Sequence, residues 1–146
     1  MAAAANTPTP IATPAAVLPA ERTPQDVAAL LRRPFAPHVI KSRKIAGRDV
    51  EYISIDDVIA RLNKAALEWN WQVTDVRILT MPLTRKAGIT DVPVAQVIGE
   101  LEIPGLGKRQ GIGTAPCEGT EDATKAAASD ALKKASSLFS VPTGGR

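Results

Sequence analysis

The chain has 146 residues, 45% of them hydrophobic, with one cysteine, one histidine and a formal net charge of +3. That is one domain plus tails with enough apolar content for a core, and a lone cysteine excludes an intrachain disulfide or a cysteine-based metal cluster. No apolar run approaches the roughly 20 residues that span a bilayer, and the opening MAAAANTPTPIATPAAVLPA lacks the basic start and continuous apolar centre of a signal peptide, so a cytoplasmic location is expected.

Residues 1–22 are mostly Ala, Pro and Thr and cannot bury enough surface to offset chain entropy; they are expected to be a disordered tail. Thr23-Pro24-Gln25-Asp26 then supplies a cap, a proline at the first helical position and an acid at the third. A short helix is predicted to run to about Arg33, burying Val27, Leu30 and Leu31, with Pro34 stopping it. From His38 to Ile53, two alternating runs flank Ala46-Gly47-Arg48-Asp49 and predict a hairpin turning near Gly47. Lys41, Arg43, Lys44 and Arg48 crowd this hairpin, and Tyr52 lies on its returning strand. Charge that protects an edge strand from aggregation is the simpler account of those residues.

Ser54 to Trp69 carries apolar residues at helical spacing, with Ser54 and Asp57 placed to cap its start. Three strands follow. Trp71 to Leu79 is the first; Ala95, Val97, Gly99, Leu101 and Ile103 form one face of the second; and Gly105-Leu106-Gly107 turns into the third, Lys108 to Thr114. Arg85-Lys86-Ala87-Gly88 is expected as a basic loop between the first two. Alternation of this kind belongs to an antiparallel sheet with one face covered and one wet.

The last helix, Thr120 to Phe139, is expected to start on a Thr120 cap, with Glu121 and Asp122 in its first turn. Ala128, Ala131, Leu132, Ala135, Leu138 and Phe139 fall on one core-facing stripe, and Lys125, Ser129, Lys133, Lys134, Ser136 and Ser137 on the opposite arc. Lys125 and Lys133 are eight residues apart, about 12 Å along a helix, which suits more than one phosphate of a single strand. A solvated lysine face explains the same pattern. The element order is thus α-ββ-α-βββ-α, an α+β fold with its helices on one face of a sheet. Residues 23–141 are expected as the folded domain and 142–146 as a short flexible tail.

Enzyme chemistry finds little support. Gly111-Ile112-Gly113 lacks the third glycine of a dinucleotide loop, and Glu102 stands where a phosphate loop ending at Gly107-Lys108 needs glycine. Asp26, Asp57, Glu121 and Asp122 read as helix-start residues, leaving Glu118 unexplained, and Cys117 has no histidine nearby in sequence. No cofactor, metal or small-molecule substrate is expected. The aromatic inventory of Trp69, Trp71, Tyr52, Phe35 and Phe139 is too small to stack base after base, so contact with nucleic acid should be to the backbone.

Ile40-Lys41-Ser42-Arg43, the Tyr52-Ile53 pair, and Gly111-Ile112-Gly113 leading to Asp130-Ala131-Leu132-Lys133-Lys134-Ala135 give the chain its resemblance to a known family. Over roughly Val27 to Phe139 it resembles the Rad-fifty-two type of single-strand annealing protein, most of all the bacterial DNA-damage-response branch, DdrA. The resemblance implies a curved antiparallel sheet packed on a long C-terminal helix, assembled as a homo-oligomer into a closed ring whose basic groove carries single-stranded DNA. It implies groove roles for Arg43, Tyr52, Lys133 and Lys134, and for Lys125 beside them; Lys44 and Arg48 join them on charge and hairpin position alone. Ser137 or its neighbour replaces a third basic residue, and Cys117-Glu118-Gly119-Thr120-Glu121-Asp122 replaces a lysine-bearing loop tied to a second DNA site. The expected function is therefore non-enzymatic protection of single-stranded DNA, at 3′ ends, during repair in the nucleoid. True strand annealing and a protein-binding scaffold are the alternatives.

Overall fold

The computed structural model describes residues 22–144. All but Arg22 of the expected N-terminal tail, and residues 145 and 146 of the expected C-terminal one, lie outside the described residues. The fold is mixed α+β, with helices α1 (Pro24–Arg32), α2 (Ile55–Ala65) and α3 (Ala123–Ser137) and antiparallel strands β1 (Lys41–Ile45), β2 (Arg48–Tyr52), β3 (Asn70–Arg85), β4 (Gly88–Ile103) and β5 (Gly107–Pro116).

Helix α1 starts as its sequence dictates. The Thr23 hydroxyl accepts from the Asp26 amide at 3.1 Å, and the Asp26 carboxylate accepts from the Thr23 amide at 3.2 Å. At its other end Arg61 of α2 donates to the carbonyls of Leu31 (3.0 Å) and Arg33 (2.5 Å), with its guanidinium 4.0 Å from the centre of the Phe35 ring. One arginine thus ties the two helices together and satisfies carbonyls that the end of α1 leaves open.

The strand expected to begin at His38 begins at Lys41 instead, after a 3₁₀ turn over Pro37–Val39 closed by Val39 donating to the Ala36 carbonyl at 2.9 Å. Pro37 pre-sets the φ that this turn needs. The β1–β2 hairpin turns through Ala46 (φ 52°) and Gly47 (φ 79°), the two left-handed residues of a tight hairpin. It is a sheet of its own, unpaired with the other three strands, so two antiparallel sheets replace the single one expected. At its root the Ile53 amide donates to the Thr143 carbonyl at 3.2 Å.

Helix α2 has its Ser54 cap, the hydroxyl accepting from the Asp57 amide at 3.3 Å, but ends at Ala65 rather than Trp69. Ala66 turns extended (φ −140°), and Trp69 packs against the core from outside the helix, its indole donating to Asn63 at 2.8 Å. A core contact made from a loop had mimicked helical spacing.

Strands β3 and β4 are each 16 residues long and meet through a two-residue turn, so Arg85 and Gly88 pair across the ladder and do not lie in a loop. Beyond Val94 the hairpin they form outruns β5 and extends as a two-stranded arm. Most of the arm is exposed, so its sequence shows no burial period. The three-stranded sheet, ordered β3-β4-β5, is open, with β3 and β5 as its edges.

Helix α3 covers β4 and β5. Its cap is Asp122, whose carboxylate accepts from the Lys125 amide at 3.0 Å, and its first turn holds no acid; neither Thr120 nor Glu121 belongs to it. Ionised carboxylates bind exposed amides more strongly than hydroxyls do, and Asp122 stands at the right offset. The buried stripe keeps Ala131, Leu132, Ala135 and Phe139 but is broader than expected. Ala127 and Ser136 are inside with Ala131, Leu132, Ala135 and Phe139, whereas Leu138 is exposed. Glycines explain the breadth: a Cβ on Gly111 would collide with the Ala131 carbonyl and Ala135, and one on Gly113 with the backbone of Ala127 and Ala131. The bare strand lets the alanine face of α3 settle directly on β5, and burial follows that contact. A second cluster of Leu31, Ile53, Val58, Leu62, Leu101 and Ile103 joins α1 and α2 to the far end of the sheet. Each such side chain stabilises the fold by roughly 1.5–3 kcal/mol.

Candidate nucleic-acid interface

Alternation along the hairpin places Lys41, Arg43, Ile45, Arg48, Val50 and Tyr52 on one face, since cross-strand partners share a face. Lys44 lies on the other, opposite Asp49. On α3, Lys125, Ser129 and Lys133 form a row at four-residue intervals, which brings successive side chains to neighbouring positions on one side of a helix.

The two elements meet at a cleft of about 510 Å³. Arg43 and Tyr52 line it from the hairpin, Ser129, Asp130 and Lys133 from α3, and the C-terminal end of β5 forms its floor. Arg43 sits 4.9 Å from the centre of the Tyr52 ring and Lys133 5.4 Å from it. Two cations from distant parts of the chain therefore share one aromatic ring, whose negative face attracts both. Burial holds the Lys133 ammonium below its ordinary pKa of 10.5, the charge of Arg43 lowers it further, and Asp130 opposes the shift. Positive charge is concentrated here at a cost that a bound anion would relieve.

Of the residues singled out from sequence, Arg43, Tyr52 and Lys133 come together in the cleft. Arg48 shares their hairpin face, and Lys44 does not. Lys125 is exposed two turns before Lys133 on the same helix. Lys134 lies outside the cleft lining and pairs with Asp130 at 2.9 Å. Glu118, unexplained in sequence, pairs with Arg85 near the tip of the β3–β4 arm. Asp130 is the site residue that sequence reasoning missed. Its Oδ2 also accepts from the Thr114 amide at 3.1 Å, joining α3 to the edge of β5. A carboxylate one residue from the predicted inner arc and four before a lysine was the available signal.

Among the described residues, no group of three or more His, Cys, Asp or Glu could hold a metal ion, and no helix is long and apolar enough to cross a membrane.

Comparison with protein families matches residues 23–145 to the Rad52/22 family double-strand break repair protein. Comparison with curated proteins returned no match.

Proposed function

The chain belongs to the Rad52/22 family of double-strand break repair proteins, and from that premise we propose that it binds the backbone of single-stranded DNA without enzymatic chemistry. The observation that carries this reading is the meeting of Arg43 and Lys133 over Tyr52, in a cleft open to solvent between hairpin and helix. Lysines and arginines displace condensed counterions from the phosphates, and affinity follows with no base being read. Lys125 continues the path along α3 and Arg48 extends it on the hairpin face, while Lys134, paired with Asp130, and Lys44, on the opposite hairpin face, stand outside it.

We further propose that copies assemble into a closed ring, multiplying a weak site into a tight one. An apolar strip supports assembly: Val73, Val76 and Ile78 of β3 stand exposed on the sheet face that α3 covers over β4 and β5, beside a strand edge unpaired among the described strands. Exposed apolar surface along an open edge is what a second copy would cover.

Within the family, the reading favoured is the DdrA-like one, protection of 3′ ends at the nucleoid. Its support is the segment Cys117–Asp122, which holds Glu118, Glu121 and Asp122 and no basic residue. Such a segment repels a second strand. True annealing remains the alternative, favoured by family membership itself.

Fluorescence anisotropy of a labelled single strand, beside a duplex of equal length and at two salt concentrations, tests the binding. Preferential, salt-sensitive binding of the single strand is expected; no binding at low salt would refute it. Resistance of a bound 3′ overhang to an exonuclease, without faster pairing of complementary strands, separates protection from annealing.

A further inference from the structure

Asp130 is an acid inside a cleft assigned to a polyanion. Its Oδ2 accepts both from the Thr114 amide at 3.1 Å and from the Lys134 ammonium at 2.9 Å. The first bond fixes the carboxylate against β5, an edge strand whose Thr114 amide would otherwise have no backbone partner on that side. The second draws Lys134 back over its own helix, four residues toward the N-terminus. Lys133, the adjacent residue, points instead to Tyr52 and lines the cleft.

We infer that Asp130 is a positioning residue that sorts the twin lysines, keeping Lys134 out of the cleft so that Lys133 and Arg43 alone set its phosphate contact. This rests on the DNA reading of the cleft and deepens it. The carboxylate acts by tethering a competing cation. The site is thereby held below the affinity that its lysines could supply, a useful restraint in a protein that must release a strand as well as hold it. A neutral side chain that still accepts from Thr114 would leave the α3–β5 contact intact and free Lys134 to swing toward the strand.

The experiment is a salt titration of binding to a short labelled oligothymidylate by the full chain and by Asp130→Asn, Asp130→Asn with Lys134→Ala, and Lys133→Ala. Asp130→Asn is expected to bind roughly two- to five-fold tighter at low salt, with a log–log salt slope steeper by about 0.7, the signature of one added phosphate contact. Both changes should vanish in the double variant. An Asp130→Asn protein of unchanged thermal stability that binds no tighter overturns the proposal, and so does a gain that survives loss of Lys134. Should Asp130→Asn fail to fold, Lys134→Gln, which leaves the Asp130 carboxylate on the Thr114 amide, carries the test: an unchanged salt slope is expected, and a slope shallower by about 0.7 overturns the proposal. Lys133→Ala tests the cleft separately: if it binds like the unaltered chain, the DNA reading of the cleft fails and the role of Asp130 falls with it. If Lys133→Ala weakens binding while Asp130→Asn does not strengthen it, the role of Asp130 alone is refuted.

Discussion

The ammonium of Lys133 lies 5.4 Å from the centre of the Tyr52 ring, although 81 positions separate the two residues in sequence. Arg43 uses the same ring at 4.9 Å, so Tyr52 acts as a spacer that holds two like charges near one another. Tyr52→Leu removes the ring face and should weaken single-strand binding about three- to tenfold, consistent with the loss of ~1 kcal/mol of cation–π attraction. Tyr52→Phe keeps that face and should lose less. Equal losses in the two variants, measured by anisotropy, would show that the hydroxyl and not the ring matters.

Lys133 should give the proposed binding a pH dependence. Its ammonium is destabilised by burial and by Arg43, so its charge is lost at lower pH than the ordinary 10.5. Binding of single-stranded DNA should decline as pH rises into that range, and Lys133→Arg, charged throughout, should flatten the decline. The effect on folding has its own sign. Between the lowered pKa and 10.5 the unfolded chain holds more protons than the folded one, so Lys133 makes stability rise with pH in that window. Denaturant titrations across the window should show this contribution for the unaltered chain and lose it in Lys133→Met.

Gly113 carries a packing prediction. A methyl group there meets the Ala127 carbonyl and the Ala131 backbone, with no flexible side chain to yield. Gly113→Ala should destabilise the fold by at least ~3 kcal/mol, the upper part of the overpacking range. Urea unfolding measures it, and a cost below 1 kcal/mol would mean that α3 can lift from the sheet. Ala131→Glu, at a fully buried position on the same face, should prevent folding or assembly outright.

Ile78 tests assembly. It is 61% exposed on the strip that includes Val76. Ile78→Lys with Val76→Lys should lower the mass measured by light scattering while leaving the circular dichroism unchanged. An unaltered mass would place the interface elsewhere.

Much of this architecture was legible because local chemistry decides it. The Thr23–Asp26 and Ser54–Asp57 caps, the turn at Gly47 and the alternation of β4 follow from residues a few positions apart. The hidden parts depend on long-range contacts. The buried arc of α3 takes in Ala127 and Ser136 beyond the expected stripe because Gly111 and Gly113, fourteen or more positions before the alanines they meet, let the helix settle onto the strand. Arg43 and Lys133 could be named individually from sequence; their sharing of Tyr52, and the tether that turns Lys134 aside, required the fold.

The two sheet edges are chemically unlike. At the end of β5, Pro116 has no amide to offer and Thr114 spends its own on Asp130, whereas β3 keeps a 16-residue edge unpaired with any other described strand. Copies in which the β3 edge of one met a different surface of the next would join head to tail, so a row of them would have a direction. A strand crossing that row would inherit the direction, and its 5′ and 3′ termini would arrive at different surfaces. Telling one end of DNA from the other would then need no dedicated end-binding pocket: the asymmetry of a single sheet, repeated from copy to copy, would be enough.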